Sequence, residues 1–218
     1  AVFVPKPLQG QNGSGMHTNM SLMKDGRNVF YDPADTMKNG LSQEAYHFIA
    51  GIMEHIPAIT AIANPIVNSY KRLIAGYEAP VYIAWSCKNR SPLIRIPASR
   101  GSATRVELRS PDPTANPYLL LACCLAAGLD GIKRGLTPPA SVDYNIFAMT
   151  QEELQEHNIH ALPANLNEAI QELEKDELMK QTLGSHILNN YLALKKQEWA
   201  EYCENVSEWE INKYLKEY

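Results

Sequence analysis

Arginine and glutamate alternate in the run TRVELR, so that Arg105, Glu107 and Arg109 stand two residues apart. On a β-strand, residues two apart share a face, which sets one carboxylate between two guanidiniums. Arg90 and Arg95 lie in neighbouring runs and reach the same region if those runs pair. Guanidinium forks match phosphate oxygens, and a carboxylate ligates a hard cation such as magnesium. The pattern therefore suits a polyphosphate with a metal ion beside it. It also suits the solvated face of an antiparallel sheet, where such alternation makes cross-strand ion pairs. The residue types alone leave both readings open.

A second group follows a glycine-rich stretch, QGQNGSGMHTNMSL. Gly10, Gly13 and Gly15 make a loop, and Asn12-Gly13 is a turn signal. The strand-like alternation after it places His17, Asn19 and Ser21 on one face, with Met16, Met20 and Leu22 facing the other way. Imidazole is a common metal ligand, although a single histidine on a strand is as readily structural. Neither GxGxxG nor GK[ST] is completed, so a dinucleotide fingerprint and a P-loop are excluded. Further on, NSYKRLIAGYEAP holds Arg72 and, in a loop opening at Gly76, Glu78. Surface exposure is the default reading for both.

These groups need elements to hold them. Three short alternating runs, VYIAW, LIRIP and TRVELR, read as strands joined by tight connections. Asp25-Gly26 marks a hairpin. Ser42 caps a helix from Gln43 to Ala63, which Pro57 kinks or interrupts and Asn64-Pro65 ends. Pro117 fits the first turn of a helix whose sequence, YLLLACCLAAGLDGIKRG, is apolar almost all round and is expected to be buried; Gly135 ends it. The last third is helical. Thr150 with Glu153, and Asn165 with Glu168, are capping signals. Two short amphipathic helices end at Gly184, a long one runs from Ser185 to about Glu204, and Ser207 caps a terminal helix. Its Trp209, Ile211, Tyr214 and Leu215 are expected to dock on a further surface, such as another subunit.

The chain has 218 residues, 45% hydrophobic and 20% charged, with a net charge of -4. That is ordinary for a globular protein and gives no bulk attraction for nucleic acid or an anionic membrane. Cys87, Cys123, Cys124 and Cys203 form no CxxC pair and read as reduced thiols in a cytoplasmic protein.

Taken together, NGSGMHTNMS, NSYKRLIAGYEAP, NRSPLIRIP and TRVELRSPDPTANPY resemble the glutamine synthetase family, in particular the carboxy-terminal catalytic portion of its bacterial type I, Gram-positive-like branch. The resemblance implies an α+β fold: an antiparallel sheet, part of the family's catalytic barrel, backed by helices. It implies a substrate and ATP core over residues 1–135 and a helical region over residues 136–218, with the β-grasp domain and the first part of the catalytic domain absent. The family ligates ammonia to L-glutamate through γ-glutamyl phosphate, using ATP and Mg2+ or Mn2+. On this resemblance, His17 and Glu107 are metal ligands. Asn12, Gly13, Arg72, Glu78 and Arg109 bind glutamate; Asn19, Ser21, Arg90, Arg95 and Arg105 bind ATP. Glu78, Arg90 and Arg109 act in catalysis, Glu78 as the flap carboxylate that accepts a proton from ammonium. The family's dodecamer and a nitrogen-regulator partner are implied in the same way. Two departures are expected to matter. Ser102 stands where some members carry lysine. Phe147 stands where others carry a tyrosine that receives a nucleotide, so no such modification is expected. The chain alone is expected to be inactive, and the alternatives are a γ-glutamyl-polyamine ligase or a non-catalytic relative.

Overall fold

The computed structural model describes every residue except Val2, Arg90 and Lys216. Its central element is α1 (Gln43–Ala63). The Ser42 hydroxyl accepts a hydrogen bond from Ala45 N and donates one to the Val29 carbonyl, so the cap also ties the helix to the preceding strap. Such a cap is worth about 1 kcal/mol. Fifteen of the helix's 21 residues are buried, so hydrophobic burial rather than propensity holds it in place. The helix runs on through Pro57 and does not end there. After it come a one-turn α2 (Val67–Tyr70) and α3 (Pro117–Arg134).

Helices α1 and α3 meet through glycines. A Cβ built on Gly51 would stand 2.1 Å from the Ala127 carbonyl oxygen, and one on Gly131 would stand 2.1 Å from the His47 carbonyl oxygen. The two backbones thus touch directly, and only glycine fits between them. One side of α3 is sealed by this contact, but Tyr118, Leu121, Leu125 and Leu129 are exposed. They recur at three- and four-residue intervals as one stripe, and Leu121 and Leu125 border a cleft shared with Phe48 of α1. The all-round apolar sequence is therefore not all-round buried.

Four strands form one sheet in the order β1 (Thr18–Met20), β6 (Val106–Leu108), β5 (Ile94–Arg95), β4 (Trp85–Ser86). Pairs β1–β6 and β5–β6 are antiparallel, but β4–β5 is parallel, Trp85 facing Ile94. The sheet is mixed, not antiparallel throughout. The link from β4 to β5 is correspondingly not a tight hairpin. It wraps Ser86, whose hydroxyl accepts from Lys88 N and Asn89 N and donates to Asp143. Strands β2 (Met23–Lys24) and β3 (Arg27–Asn28) form a separate ribbon. Its turn residues Asp25 and Gly26 both have positive φ, 51° and 74°, as a type I′ hairpin requires.

The helical third comprises α4 (Gln151–Glu156), α5 (Leu166–Lys175), α6 (Glu177–Glu204) and α7 (Glu208–Tyr214). The capping signals at Thr150, Asn165 and Ser207 all form. Gly184, at φ 70° and ψ 158°, breaks α6 where the sequence marks the junction. Helix α5 packs on α1, and α6 packs on α3 and α5. His55 of α1 joins these layers: Nδ1 lies 2.6 Å from Asp176, the cap of α6, and Nε2 lies 3.2 Å from Asp130 of α3. Burial disfavours a charged imidazole, but the hydrogen bonds to Asp176 and Asp130 outweigh it and raise the His55 pKa. Among the described residues, no helix is long and apolar enough to cross a membrane.

Candidate functional site

β1 and β6 bring the two sequence clusters together. In their register Asn19 faces Glu107, and in the β5–β6 register Arg95 faces Glu107. Along β1, His17, Asn19 and Ser21 are exposed while Met16, Thr18, Met20 and Leu22 are partly covered, as the alternation requires. Glu107 is 6% exposed. Its carboxylate lies 3.3 Å from Arg95, 3.5 Å from Arg109 Nε and 3.3 Å from His17 Nδ1. Glu107 does sit between two guanidiniums, but they are Arg95 and Arg109. Arg105 turns to Asn19, donating to its side-chain oxygen at 3.0 Å. Arg90 lies outside the described residues.

The His17 pKa is lowered, chiefly because burial disfavours charge and secondly because Arg109 repels it. A neutral imidazole is the form that binds metal. His17 and Glu107 thus offer a nitrogen and a carboxylate oxygen, which fits part of a divalent coordination shell. Two donors are fewer than such an ion needs. The adjacent Arg95 and Arg109 keep the surroundings cationic, so a metal is favoured here mainly together with a polyanion.

A cavity of about 420 Å³ opens beside this cluster, lined by Asn12, Gly13, His17, Arg72, Glu78 and Arg109, with Lys6 and Tyr77 at its edge. Its floor is basic. Arg72 is 6% exposed and Arg109 8% exposed. The Arg72 guanidinium donates to the carbonyls of Ser110 at 2.6 Å and Arg109 at 3.2 Å. The glycine loop lies on the other side of it. A Cβ on Gly15 would stand 2.5 Å from Arg72 Nη2, and one on Gly13 would stand 2.2 Å from the Pro5 carbonyl oxygen. The glycines are needed for close packing over a buried guanidinium, which the sequence pattern does not reveal. Glu78 sits at the mouth on the exposed segment that follows Gly76, whose φ is 91°.

The residues ascribed to glutamate binding line this one cavity, and the potential metal ligands meet at its edge. Asn19, Ser21 and Arg105 stand on the open face beyond. Two buried groups behind the floor were missed from sequence: Asn64 and Asp112, both 0% exposed. The only sequence signal was a pair of polar residues next to prolines, which reads as a turn.

The fold is a mixed sheet backed by helices, and it sets two buried guanidiniums, an exposed loop carboxylate and the His17–Glu107 pair around one polar cavity. Comparison with known proteins agrees. Residues 1–214 match the family model described as glutamine synthetase, catalytic domain. The chain is 59% identical over 218 residues to a glutamine synthetase of Clostridium saccharobutylicum, covering 100% of this chain and 49% of that protein. It is 53% identical over 218 residues to one of Staphylococcus aureus strain MW2, covering 48% of it. It superposes on the solved GmaS/ADP complex with a TM-score of 0.86 and 36% identity, covering 99% of this chain and 49% of that one. The chain therefore belongs to the glutamine synthetase catalytic-domain family. It spans about half the length of the curated relatives it matches.

Proposed function

We propose that this chain supplies one part of the active site of an ATP-dependent ligase that joins ammonia to L-glutamate through γ-glutamyl phosphate. The observation that carries the reading is the shared cavity: two buried guanidiniums, an exposed loop carboxylate and a neutral histidine beside a buried glutamate open onto one space. The family relatives, named glutamine synthetases, support the reaction class.

In this reading Arg72 and Arg109 hold the carboxylates of glutamate, with Asn12 and Gly13 at the mouth. Arg95 and Arg90 balance charge on the phosphates as the phosphoryl group passes to the γ-carboxylate. Such placed cations act where negative charge develops. Asn19, Ser21 and Arg105 line the nucleotide's approach. His17 and Glu107 would hold Mg2+ or Mn2+, which when bound would neutralise phosphate charge. The acyl phosphate must meet ammonia before water, so the Gly76–Glu78 segment closes over it. Glu78 attracts ammonium and takes its proton, freeing the nitrogen lone pair to attack. Among the described residues His17 and Glu107 offer two donors, fewer than a divalent ion needs, so in this reading the isolated chain makes no glutamine. Assembly into a homo-oligomer, a cytoplasmic location and a contact with a nitrogen regulator belong to the same reading.

The test uses the full-length protein with glutamate, ATP and magnesium. Phosphate release and amide formation are followed with ammonium and then with polyamines, for wild type and Glu78→Ala. Ammonium-dependent glutamine formation, reduced about 10²- to 10⁴-fold in the variant as for loss of an acid–base group, supports the proposal. Amide formation only with polyamines moves the acceptor. No turnover with any amine refutes a ligase, and turnover by the isolated 218-residue chain refutes the partial-site claim.

A further inference from the structure

The floor of the cavity is held from behind by a polar network whose side chains, Asn64, Asp112 and Thr114, do not themselves line the cavity. Asn64, the cap at the end of α1, donates from Nδ2 to the Ser110 carbonyl at 2.8 Å and to Asp112 Oδ2 at 3.0 Å. The other oxygen of Asp112 accepts from Thr114 N at 3.0 Å and Thr114 Oγ1 at 2.5 Å. Asp112 N donates to the Ala63 carbonyl at 3.1 Å. The segment Ser110–Asp112 is thereby fixed to the end of the most buried helix. Its first carbonyl is the acceptor that grips Arg72, at 2.6 Å.

Charge adds to this geometry. Arg72 and Arg109 are two buried guanidiniums close enough to repel each other. Asp112 is the carboxylate that attracts Arg72 through the protein, from a place solvent does not reach. A buried carboxylate with its hydrogen bonds filled on both oxygens is costly unless a charge partner compensates it. Here that partner is a residue whose other side faces the cavity.

We infer that Asp112 is a positioning residue for Arg72, holding its guanidinium at the floor of the cavity to receive a substrate carboxylate. It touches no substrate. Its effect passes through the Ser110 carbonyl and through its negative charge. The inference rests on the proposed glutamate site, and it assigns one half of the carboxylate clamp a support on the far side of the protein backbone.

Asp112→Asn keeps the shape and the acceptor for Thr114 but removes the charge and sets two amide nitrogens, its own and that of Asn64, against each other. In the full-length protein the glutamate KM is expected to rise at least tenfold, with the ATP KM within twofold and kcat within threefold of wild type. In an Arg72→Ala background, Asp112→Asn adds less than twofold, because the residue it positions is gone. A merely structural role would add its full effect in both backgrounds and would move both KM values. Thr114→Val keeps the charge and loosens one anchor. It is expected to raise the glutamate KM two- to fivefold while melting within about 3 °C of wild type, so the question stays answerable if the first variant folds poorly. An unchanged glutamate KM in a folded Asp112→Asn protein overturns the inference. If wild type shows no glutamate-dependent turnover, the proposed function falls instead. The crystal structure of Asp112→Asn then decides this inference: Arg72 leaving the Ser110 carbonyl supports it, and Arg72 unmoved overturns it.

Discussion

Gly15→Ala tests the cavity from its other wall. The new methyl would lie 2.5 Å from Arg72 Nη2 and 3.2 Å from its Cζ, where ordinary contact begins at 3.4 Å. Gly15 does not have a positive φ that alanine would resist, so the backbone has no reason to move first. What must give is the guanidinium, by about 0.9 Å. Its bonds to the Ser110 and Arg109 carbonyls, at 2.6 and 3.2 Å, cannot both survive such a shift. Losing one charge-assisted hydrogen bond and the alignment it gives costs about 1.5–3 kcal/mol, which is about 10- to 150-fold in affinity. If Arg72 receives the glutamate carboxylate, the whole loss falls on glutamate. The assay is steady-state kinetics of the full-length protein, varying glutamate at saturating ATP and ammonium, then the reverse. The glutamate KM rises by that factor and the ATP KM stays within twofold. Because the lost bond belongs to the fold itself, the melting temperature should also fall, by about 3–12 °C. A glutamate KM within threefold of wild type, or an equal rise for ATP, would refute the placement of Arg72.

Gly51→Ala sets a gain in helix propensity of about 1 kcal/mol against a methyl driven to 2.1 Å from the Ala127 carbonyl oxygen. Overpacking of this kind costs about 1–3 kcal/mol or more, so a net loss and a melting temperature lower by about 2–8 °C are expected by calorimetry; an equal or higher value rejects the close approach of α1 and α3. Because the folded His55 pKa is raised above the ordinary 6.5, the charged His55 contributes stability that is full below that value and fades as pH rises through the folded pKa. Arg134, which pairs with Glu54 beside Asp130, has its pKa raised and keeps its charge across that range, so the change belongs to His55. The difference in urea midpoint between wild type and His55→Gln should shrink from pH 6 to pH 9, and a constant difference denies the clamp. Glu107→Gln removes a potential metal ligand and leaves Arg95 and Arg109 without their shared counter-charge; the magnesium activation constant is expected to rise at least tenfold, and an unchanged constant places the metal elsewhere.

Local signals in the sequence carried far. Ser42, Thr150, Asn165 and Ser207 cap helices as their side chains dictate, and Gly184 breaks α6 through its left-handed φ. These are decided within four residues of chain. The alternation around Glu107 correctly put it among arginines, but its partners depend on register, which is long-range. Hence Arg95 replaced Arg105 at its side. Strand direction in β4–β5 has no period to betray it. The exposed stripe on α3 looked like core because composition cannot tell which apolar face finds a neighbour. His55 with Asp130 and Asp176 was illegible for the plainest reason: its partners lie 75 and 121 residues away. So was the Asn64–Asp112 support, 48 residues apart.

The pairing of β1 with β6 has a consequence for how the molecule comes into being. Thr18 meets Leu108 across roughly ninety residues, and closing a loop of that length costs about 4 kcal/mol of chain entropy. Helix α1, whose contacts begin within one turn, faces no such barrier. The β1–β6 pairing and the cavity floor are thus expected to form late, His17 reaching Glu107 only once the two strands have met. Substitutions at the rim of the cavity would accordingly leave the folding rate alone and show themselves in the unfolding rate, so the residues around the cavity are also those freest to vary without imperilling the birth of the fold.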